Sequence, residues 1–308
     1  MDVSLRQLRM LREVAARGTI AAAAEALSYT PSALSQQLGA LERSTGVPVL
    51  ERVGRNVRLT DAGRELVGHV GEIFDRLERA EVALLSTATE VKGRLTLGVF
   101  ESIIGPIVAP LLAEATRRHP ELDLWTREVD PDQALDDLAS GELDLAFILD
   151  YPHAPGARPE GIDRTTLHVD HFHVVVARDD ELGPGPVRLE ELRDRDFVRS
   201  PAGMNCGRCV TQACRDAGFE ARVRHEVDDY PATLQLVAAG VGIALLPSMG
   251  LMNPPPGVKV LALAEPVERT IEAAHRSASA GRPALEATLE LARHQVERWR
   301  NGLVDLAG

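Results

Sequence analysis

Thr30-Pro31-Ser32-Ala33-Leu34-Ser35-Gln36-Gln37-Leu38 decides the reading of this 308-residue chain. Thr30 has the hydroxyl of a helix N-cap, and Pro31 takes the first helical position, where its missing N–H costs nothing. Leu34, Leu38 and Leu41 recur at helical spacing and turn inward, which leaves Ser32, Ser35 and Gln36 on the opposite face. Small hydroxyl and amide side chains on such a face fit a major groove and hydrogen-bond base edges. Upstream, Leu5, Leu8, Leu11, Val14 and Ala15 mark a first helix stopped by Gly18, and Thr19 caps a second through the alanine run to Leu27. Two short helices at this spacing predict a helix-turn-helix. The same spacing also suits an ordinary three-helix domain with a solvated surface.

Downstream, Gly46 to Thr60 contains two short β-prone pieces around Gly54, a predicted hairpin or wing that carries Arg52, Arg55 and Arg58 towards phosphates or a minor groove. Thr60 and Asp61 then cap a long helix running to about Leu85. Its apolar positions, Leu66, Val70, Ile73, Leu77, Ala80 and Leu84, alternate in steps of four and three, a heptad seam that wants a partner helix. That partner is a second copy of the chain or the helix's own domain.

A formal net charge of -12 speaks against a polyanion partner until it is divided along the chain. Residues 1–65 carry nine arginines against seven acidic residues, whereas residues 93–308 carry 22 basic against 34 acidic. A basic head on an acidic body repels DNA everywhere but at the head, which helps to orient it. With 44% hydrophobic and 26% charged residues the composition excludes a collagen-like or wholly disordered chain. No run approaches the roughly 18 apolar residues of a membrane span, and the N-terminus lacks a signal peptide's apolar core, so a cytoplasmic protein without membrane contact is expected. The three cysteines all fall between Cys206 and Cys214, which excludes a disulfide scaffold.

From Val91 onward strands and helices alternate. Strands are predicted at 94–100, 122–129, 141–148, 172–178, 197–198, 221–227, 242–247 and 269–274. Helices are predicted at 103–118, 133–139, 189–192, 206–217, 231–239 and 283–300. Two hinged α/β lobes form a clamshell that takes its ligand at the carboxyl ends of the strands. The cleft candidates are Glu101 and Ser102 after the first strand, the facing loop with Ser200, Gly203 and Asn205, the strand end at 148–150, and Asp228. Ser102 offers a hydroxyl beside helix N–H groups to an anionic effector. Glu101 favours a cationic or hydroxyl-rich ligand instead; capping or turn chemistry is the competing account of each position, and the stronger one for Asp228, which caps or flanks a helix.

The string from Thr30 to Leu38, followed by Leu41-Glu42 and by Gly46 to Gly63 ending in Arg58-Leu59-Thr60-Asp61-Ala62-Gly63, closely resembles the winged helix-turn-helix of the LysR-type transcriptional regulators. The C-terminal layout resembles, less specifically, the effector half of the same family, which is similar to periplasmic binding proteins; Gly141 to Ala146 and Ala239 to Pro247 carry that likeness. The resemblance implies an α/β fold class with an N-terminal winged helix-turn-helix, a long linker helix and a two-lobed effector domain. It implies a DNA-binding domain at 1–60, a dimerisation helix at 61–90 and an effector-domain lobe one at 93–166 and 267–300. Lobe two is then 167–266. By carry-over, Thr30, Pro31, Ser32, Ser35 and Gln36 face the groove, Arg52 and Arg55 belong to the wing, and Leu66, Val70, Ile73, Leu77 and Leu84 pair two copies. Many family members have Gln where this chain has Pro31 and Arg where it has Gln36, so a different operator preference is expected. The implied partners are double-stranded DNA with two-fold symmetry, the chain itself as homodimer or homotetramer, a small-molecule effector, and RNA polymerase as a candidate.

Cys206-Gly207-Arg208-Cys209 with Cys214 suits a thiol sensor, or a zinc site with His225 as a fourth ligand. On a helix, however, Cys206, Val210, Ala213, Cys214 and Ala217 make a small apolar face that suits core packing. His168, His171 and His173 alternate along a strand without a carboxylate cluster, a structural pattern. No Gly-rich phosphate loop and no nucleophile elbow is present, so neither enzymatic activity nor a cofactor or metal is expected. The alternative reading is a thiol-responsive or effector-independent DNA-binding regulator.

Overall fold

The computed structural model describes residues 2–53, 56–85, 90–152 and 158–306. The chain divides into two compact units, one holding residues 1–89 and the other most of residues 90–308.

In the first unit, α1 (Leu5–Arg17), α2 (Ile20–Ala26) and α3 (Pro31–Thr45) precede a hairpin of β1 (Leu50–Val53) and β2 (Asn56–Leu59) and the long α4 (Asp61–Leu85). Each early helix begins where a side chain satisfies its free N–H groups. Ser4 and Gln7 form a capping box on α1, the Thr19 hydroxyl accepts from Ala22 N, and the Thr30 hydroxyl accepts from Ala33 N. Met10, Leu11, Val14, Ala23, Ala24, Leu34, Leu38, Leu41 and Val49 form one core. Glu42 fixes the hairpin to α3, its Oε1 accepting from Val49 N at 2.9 Å and Leu50 N at 3.0 Å. Gly63 sets the start of α4 against the hairpin: a Cβ there would stand 2.1 Å from the Val49 carbonyl oxygen, so only glycine permits the approach. Along α4, Leu66 and Val67 pack against this core and Val70 is fully buried, whereas Ile73, Leu77 and Leu84 are exposed.

The second unit begins with β3 (Gly93–Val99) and a helix that starts as α5 (Glu101–Ile103), widens into a π turn over Ile104–Val108 and continues as α6 (Ala109–Arg118). It continues through β4 (Leu122–Glu128), α7 (Pro131–Ser140), β5 (Leu145–Asp150), β6 (Ile162–Ala177) and β7 (Asp196–Arg199). Next come α8 (Asn205–Asp216), β8 (Arg222–Glu226), α9 (Tyr230–Ala238), β9 (Ala244–Pro247), β10 (Val258–Ala262), β11 (Glu268–Arg276) and α10 (Pro283–Leu306). β3 is parallel to β4 and β5, and β11 runs antiparallel between β5 and β6. β6 serves two lobes. Its residues up to His171 pair with β11, and from Phe172 on they pair with β9 and β10. Lobe one packs α6 and α10 around Leu95, Leu97, Phe147 and Ile271. Lobe two packs Phe172, Val174, Val176, Phe197, Val210 and Leu245, with Cys209 and Cys214 buried among them.

The fold is therefore a helix-turn-helix unit and a two-lobed α/β unit, as expected. Three details differ from the sequence reading. Residues 189–192, predicted as a helix, form a single 3₁₀ turn over those same four residues. β6 starts ten residues before the predicted Phe172, because Asp163, Arg164, Thr165, Thr166 and His168 hide the apolar alternation in its first half. β10, which completes the lobe-two sheet, was not predicted. No helix among the described residues is long and apolar enough to cross a membrane.

Candidate functional site

A cavity of about 230 Å³ lies between the two lobes. One wall comes from the carboxyl ends of three parallel strands: Phe100, Glu101 and Ser102 after β3, Glu128 to Pro131 after β4, and Leu149 and Tyr151 at the end of β5. Met204, Asn205 and Cys206 at the start of α8, with Asp228 and Tyr230 at the start of α9, face them. The start of α8 lies close to the preceding loop because Gly207 has no Cβ; one would come within 2.2 Å of the Pro201 carbonyl oxygen.

Arg269, 1% exposed, stands at the base of the cavity. Its Nε and Nη2 donate to Asp170 Oδ2 at 3.0 and 2.8 Å, Nη2 also to Ser102 Oγ at 2.8 Å, and Nη1 to the Tyr230 hydroxyl at 3.4 Å. The guanidinium thus ties Ser102 of lobe one to Tyr230 of lobe two. Burial acts against its charge, and the Tyr230 and Asp170 oxygens outweigh burial, holding its pKa above the ordinary value. Glu101 makes a second tie between the lobes, its Oε1 accepting from Tyr230 N at 3.3 Å. A third closes the rim, where Arg208 Nη2 donates to Asp132 Oδ2 at 2.8 Å. Burial raises the Glu101 pKa, and the nearby carboxylates of Asp229, Asp228 and Glu128 push the same way against the Tyr230 hydrogen bond.

Two polar groups of the lining, the Tyr151 hydroxyl and Asn205 Nδ2, are buried without a hydrogen-bond partner. A buried group in that condition costs free energy until a ligand or water meets it. The Cys206 thiol lines the same cavity, and burial raises its pKa; burial pushes Cys209 and Cys214 up to about 12. Among the described residues no group of His, Cys, Asp and Glu side chains could hold a metal ion. The three histidines are occupied locally: His168 meets Trp299 edge-on at 5.1 Å, His171 lies 3.3 Å from Glu268, and His173 lies 3.4 Å from the Ser248 hydroxyl.

Of the residues singled out from sequence, Glu101, Ser102, Asn205 and Asp228 come together around the cavity. The Ser102 hydroxyl is taken by Arg269 rather than left open to an anion. Ser200 lines a small adjoining pocket, and Gly203 lies at the rim, where its carbonyl accepts from Arg208 Nη1. Sequence reasoning missed Arg269, Asp170, Tyr151 and Tyr230. Tyr151 was within reach, since it directly follows the strand end at 148–150. Nothing marked Arg269 and Asp170, because charged residues in alternating strands ordinarily face solvent.

In the first unit, Thr30, Pro31, Ser32, Ser35 and Gln36 are exposed at the start of α3, while Leu34 and Leu38 are buried behind them. The Thr30 hydroxyl is committed to the cap and lies 3.1 Å from the Ser32 hydroxyl. Arg52 is exposed on β1, Arg58 pairs with Glu51 across the hairpin, and Arg55 lies outside the described residues.

Residues 5–64 match the family model for the bacterial regulatory helix-turn-helix protein of the lysR family, and residues 88–297 match that for the LysR substrate binding domain. The HTH-type transcriptional regulator ShiR of Corynebacterium glutamicum (strain R) is 31% identical over 285 residues, which cover 88% of this chain and 91% of ShiR. A full-length single-residue variant of OxyR from Pseudomonas aeruginosa superposes with a TM-score of 0.73 at 22% identity, over 95% of this chain and 98% of that one. Full-length CbnR in complex with its target DNA gives 0.56 at 24% identity, over 96% of this chain and 100% of that one. These likenesses run through both units, and the chain belongs to the LysR family of bacterial transcriptional regulators.

Proposed function

We propose that this regulator reads a two-fold operator with the exposed start of α3 and senses a small molecule in the cleft between its lobes. One observation carries the sensing half: a cavity at the parallel strand ends lined by two buried, unpartnered polar groups, the Tyr151 hydroxyl and Asn205 Nδ2, and crossed by Arg269. A ligand that prefers one lobe arrangement shifts the population of that arrangement, and a coupling of about 1 to 3 kcal/mol suffices to alter operator binding. Pro31, Ser32, Ser35 and Gln36 supply base contacts, with Thr30 holding the helix start, and Arg52 and Arg55 supply phosphate or minor-groove contacts. That CbnR has been captured on its target DNA supports the assignment of the first unit to DNA.

In this reading residues 1–60 are the DNA-binding domain and 61–90 the dimerisation helix. Lobe one is 93–166 with 267–300, and lobe two is 167–266. The exposed Ile73, Leu77 and Leu84 pair two copies; of the other two seam positions, Leu66 packs on the head's own core and Val70 is buried within the chain. The chain acts in the cytoplasm, where its DNA lies, with RNA polymerase as a further partner. The raised pKa values of all three thiols favour effector sensing over thiol sensing, since the thiolate is the reactive form.

The test is capture of fragmented genomic DNA by the purified protein at two salt concentrations, followed by sequencing. Enrichment of two-fold sites supports the operator reading, and genes beside those sites narrow the effector. Salt-sensitive capture with no preferred site overturns it.

A further inference from the structure

We propose that the cleft takes an organic cation, a small amine- or guanidinium-bearing metabolite that also carries an oxygen acceptor, rather than a simple acid. This deepens the effector reading above and rests on it.

Four carboxylates line the cavity: Glu101, Glu128, Asp130 and Asp228. Arg269 is the cation among the described lining residues, and its charge is already met by Asp170, which accepts from it twice. Arg208 at the rim is held by Asp132 and Asn205 Oδ1. Every guanidinium nitrogen of Arg269 already has an oxygen within hydrogen-bond distance. An entering carboxylate therefore meets four like charges and must displace Asp170, Ser102 or Tyr230 to reach a positive one. An entering ammonium meets the opposite field.

The unpartnered groups show that the ligand is polar and account for its oxygen; the carboxylates decide the sign of its charge. Tyr151 is 1% exposed, and its unpartnered hydroxyl lines the cavity, able to accept from a ligand N–H or to donate to a ligand oxygen. Asn205 Nδ2, on a residue 8% exposed, is a donor without an acceptor and suits a ligand oxygen. The carboxylates are too dispersed to chelate: among the described residues no three His, Cys, Asp or Glu side chains could hold a metal ion. A cavity of about 230 Å³ lies below the usual range for drug-sized ligands, so the occupant is small.

The experiment uses the full-length protein, with thermal melting and calorimetric titration at low salt. L-Lysine, L-arginine and ethanolamine, each a cation that also carries an oxygen, are the cationic probes, and glutarate and benzoate are the acids. At least one amine is expected to raise the melting midpoint, with no shift from either acid. Glu101→Gln with Asp228→Asn should weaken that amine by about tenfold or more. Without ligand the same double variant should melt higher than the parent, because the clustered like charges repel. A ligand-free variant that melts no higher overturns the proposal, as does an amine affinity unchanged by it. Stabilisation by an acid but by no amine overturns the cationic class, and if Asn205→Leu abolishes it, the cleft stands as the effector site. No shift from any probe, with a ligand-free variant no more stable than the parent, overturns the cationic class and counts against the effector reading as well.

Discussion

Arg269 and Asp170 are register partners across β11 and β6, and both are buried, with two guanidinium nitrogens converging on a single carboxylate oxygen at 2.8 and 3.0 Å. The pair stands one residue from the point where β6 passes from the lobe-one sheet to the lobe-two sheet. Removing one member leaves an uncompensated buried charge, which costs about 3 to 5 kcal/mol, while replacing both by apolar residues costs far less. Asp170→Ala is therefore expected to lower the unfolding free energy of the second unit by that amount, and Asp170→Leu with Arg269→Met to recover most of it. Urea unfolding followed by circular dichroism measures both. A loss below about 1 kcal/mol for Asp170→Ala would show that water reaches the pair.

The seam on α4 separates two kinds of position. Val70 is fully buried within the chain, whereas Leu77 is 37% exposed and Ile73 38%. A charge at Leu77 should split an oligomer and leave the monomer folded; a charge at Val70, buried in the monomer, should destabilise the monomer itself. Sedimentation of Leu77→Glu is expected to show a smaller species with native circular dichroism and weakened operator binding. An unchanged oligomer would move the subunit contact elsewhere.

Gln36 and Arg52 test the division of labour on DNA. Gln36 is exposed on the face of α3 opposite Leu34 and Leu38, and Arg52 is exposed on the hairpin. Gln36→Ala should relax preference at one or two base pairs, at a cost of about 1 to 3 kcal/mol in discrimination. Arg52→Ala should weaken all sequences alike and reduce the slope of log affinity against log salt by about 0.9 per subunit. Equal salt slopes for parent and Arg52→Ala would remove the hairpin from the interface.

How much of this was legible in the sequence follows from how local the signals are. Thr19, Thr30 and Pro31 declare helix starts within four residues of themselves, so the head could be read from Ser4 to Gly63. The cleft was legible only where a strand ends: Glu101, Ser102 and Asn205 could be named from the βα pattern. Arg269 and Asp170 could not, because their burial depends on two strands 99 residues apart coming into register. The first half of β6 was missed for a related reason, since its polar side chains pair with β11 at the lobe crossing rather than alternate against a single core. The cysteines divided as helical spacing suggested for Cys214, which is buried in the lobe-two core, but the cleft position of Cys206 needed the structure.

Glu114 gives the second unit a calculable response to acid. It lies on α6, 8% exposed, with Oε2 accepting from Gln295 and 3.1 Å from His294 Nδ1 of α10, and Oε1 accepting from Arg118 at 3.3 Å. Burial pushes its pKa up, but Arg118, His294 and Gln295 together outweigh burial and hold it below the ordinary 4.5. A carboxylate with a depressed folded pKa contributes stability in full above its unfolded pKa and loses it as pH falls through the folded value. His168 and His173, lowered from 6.5 chiefly by burial, follow the same rule at higher pH, since the folded state prefers them neutral. Acidification should therefore weaken the unit in two stages, below about 6.5 and again below about 4.5. Glu101 runs the other way, because its raised pKa makes folding oppose its charge near neutrality and tolerate it once protonated. Urea midpoints of the parent and Glu114→Gln, measured at about pH 7.5, 5.5 and 3.5, separate these contributions. The variant should be the less stable at the first two, with the gap narrowing at the third as Glu114 itself protonates. A gap that does not change with pH would mean that Glu114 acts there through packing alone, not as a charge.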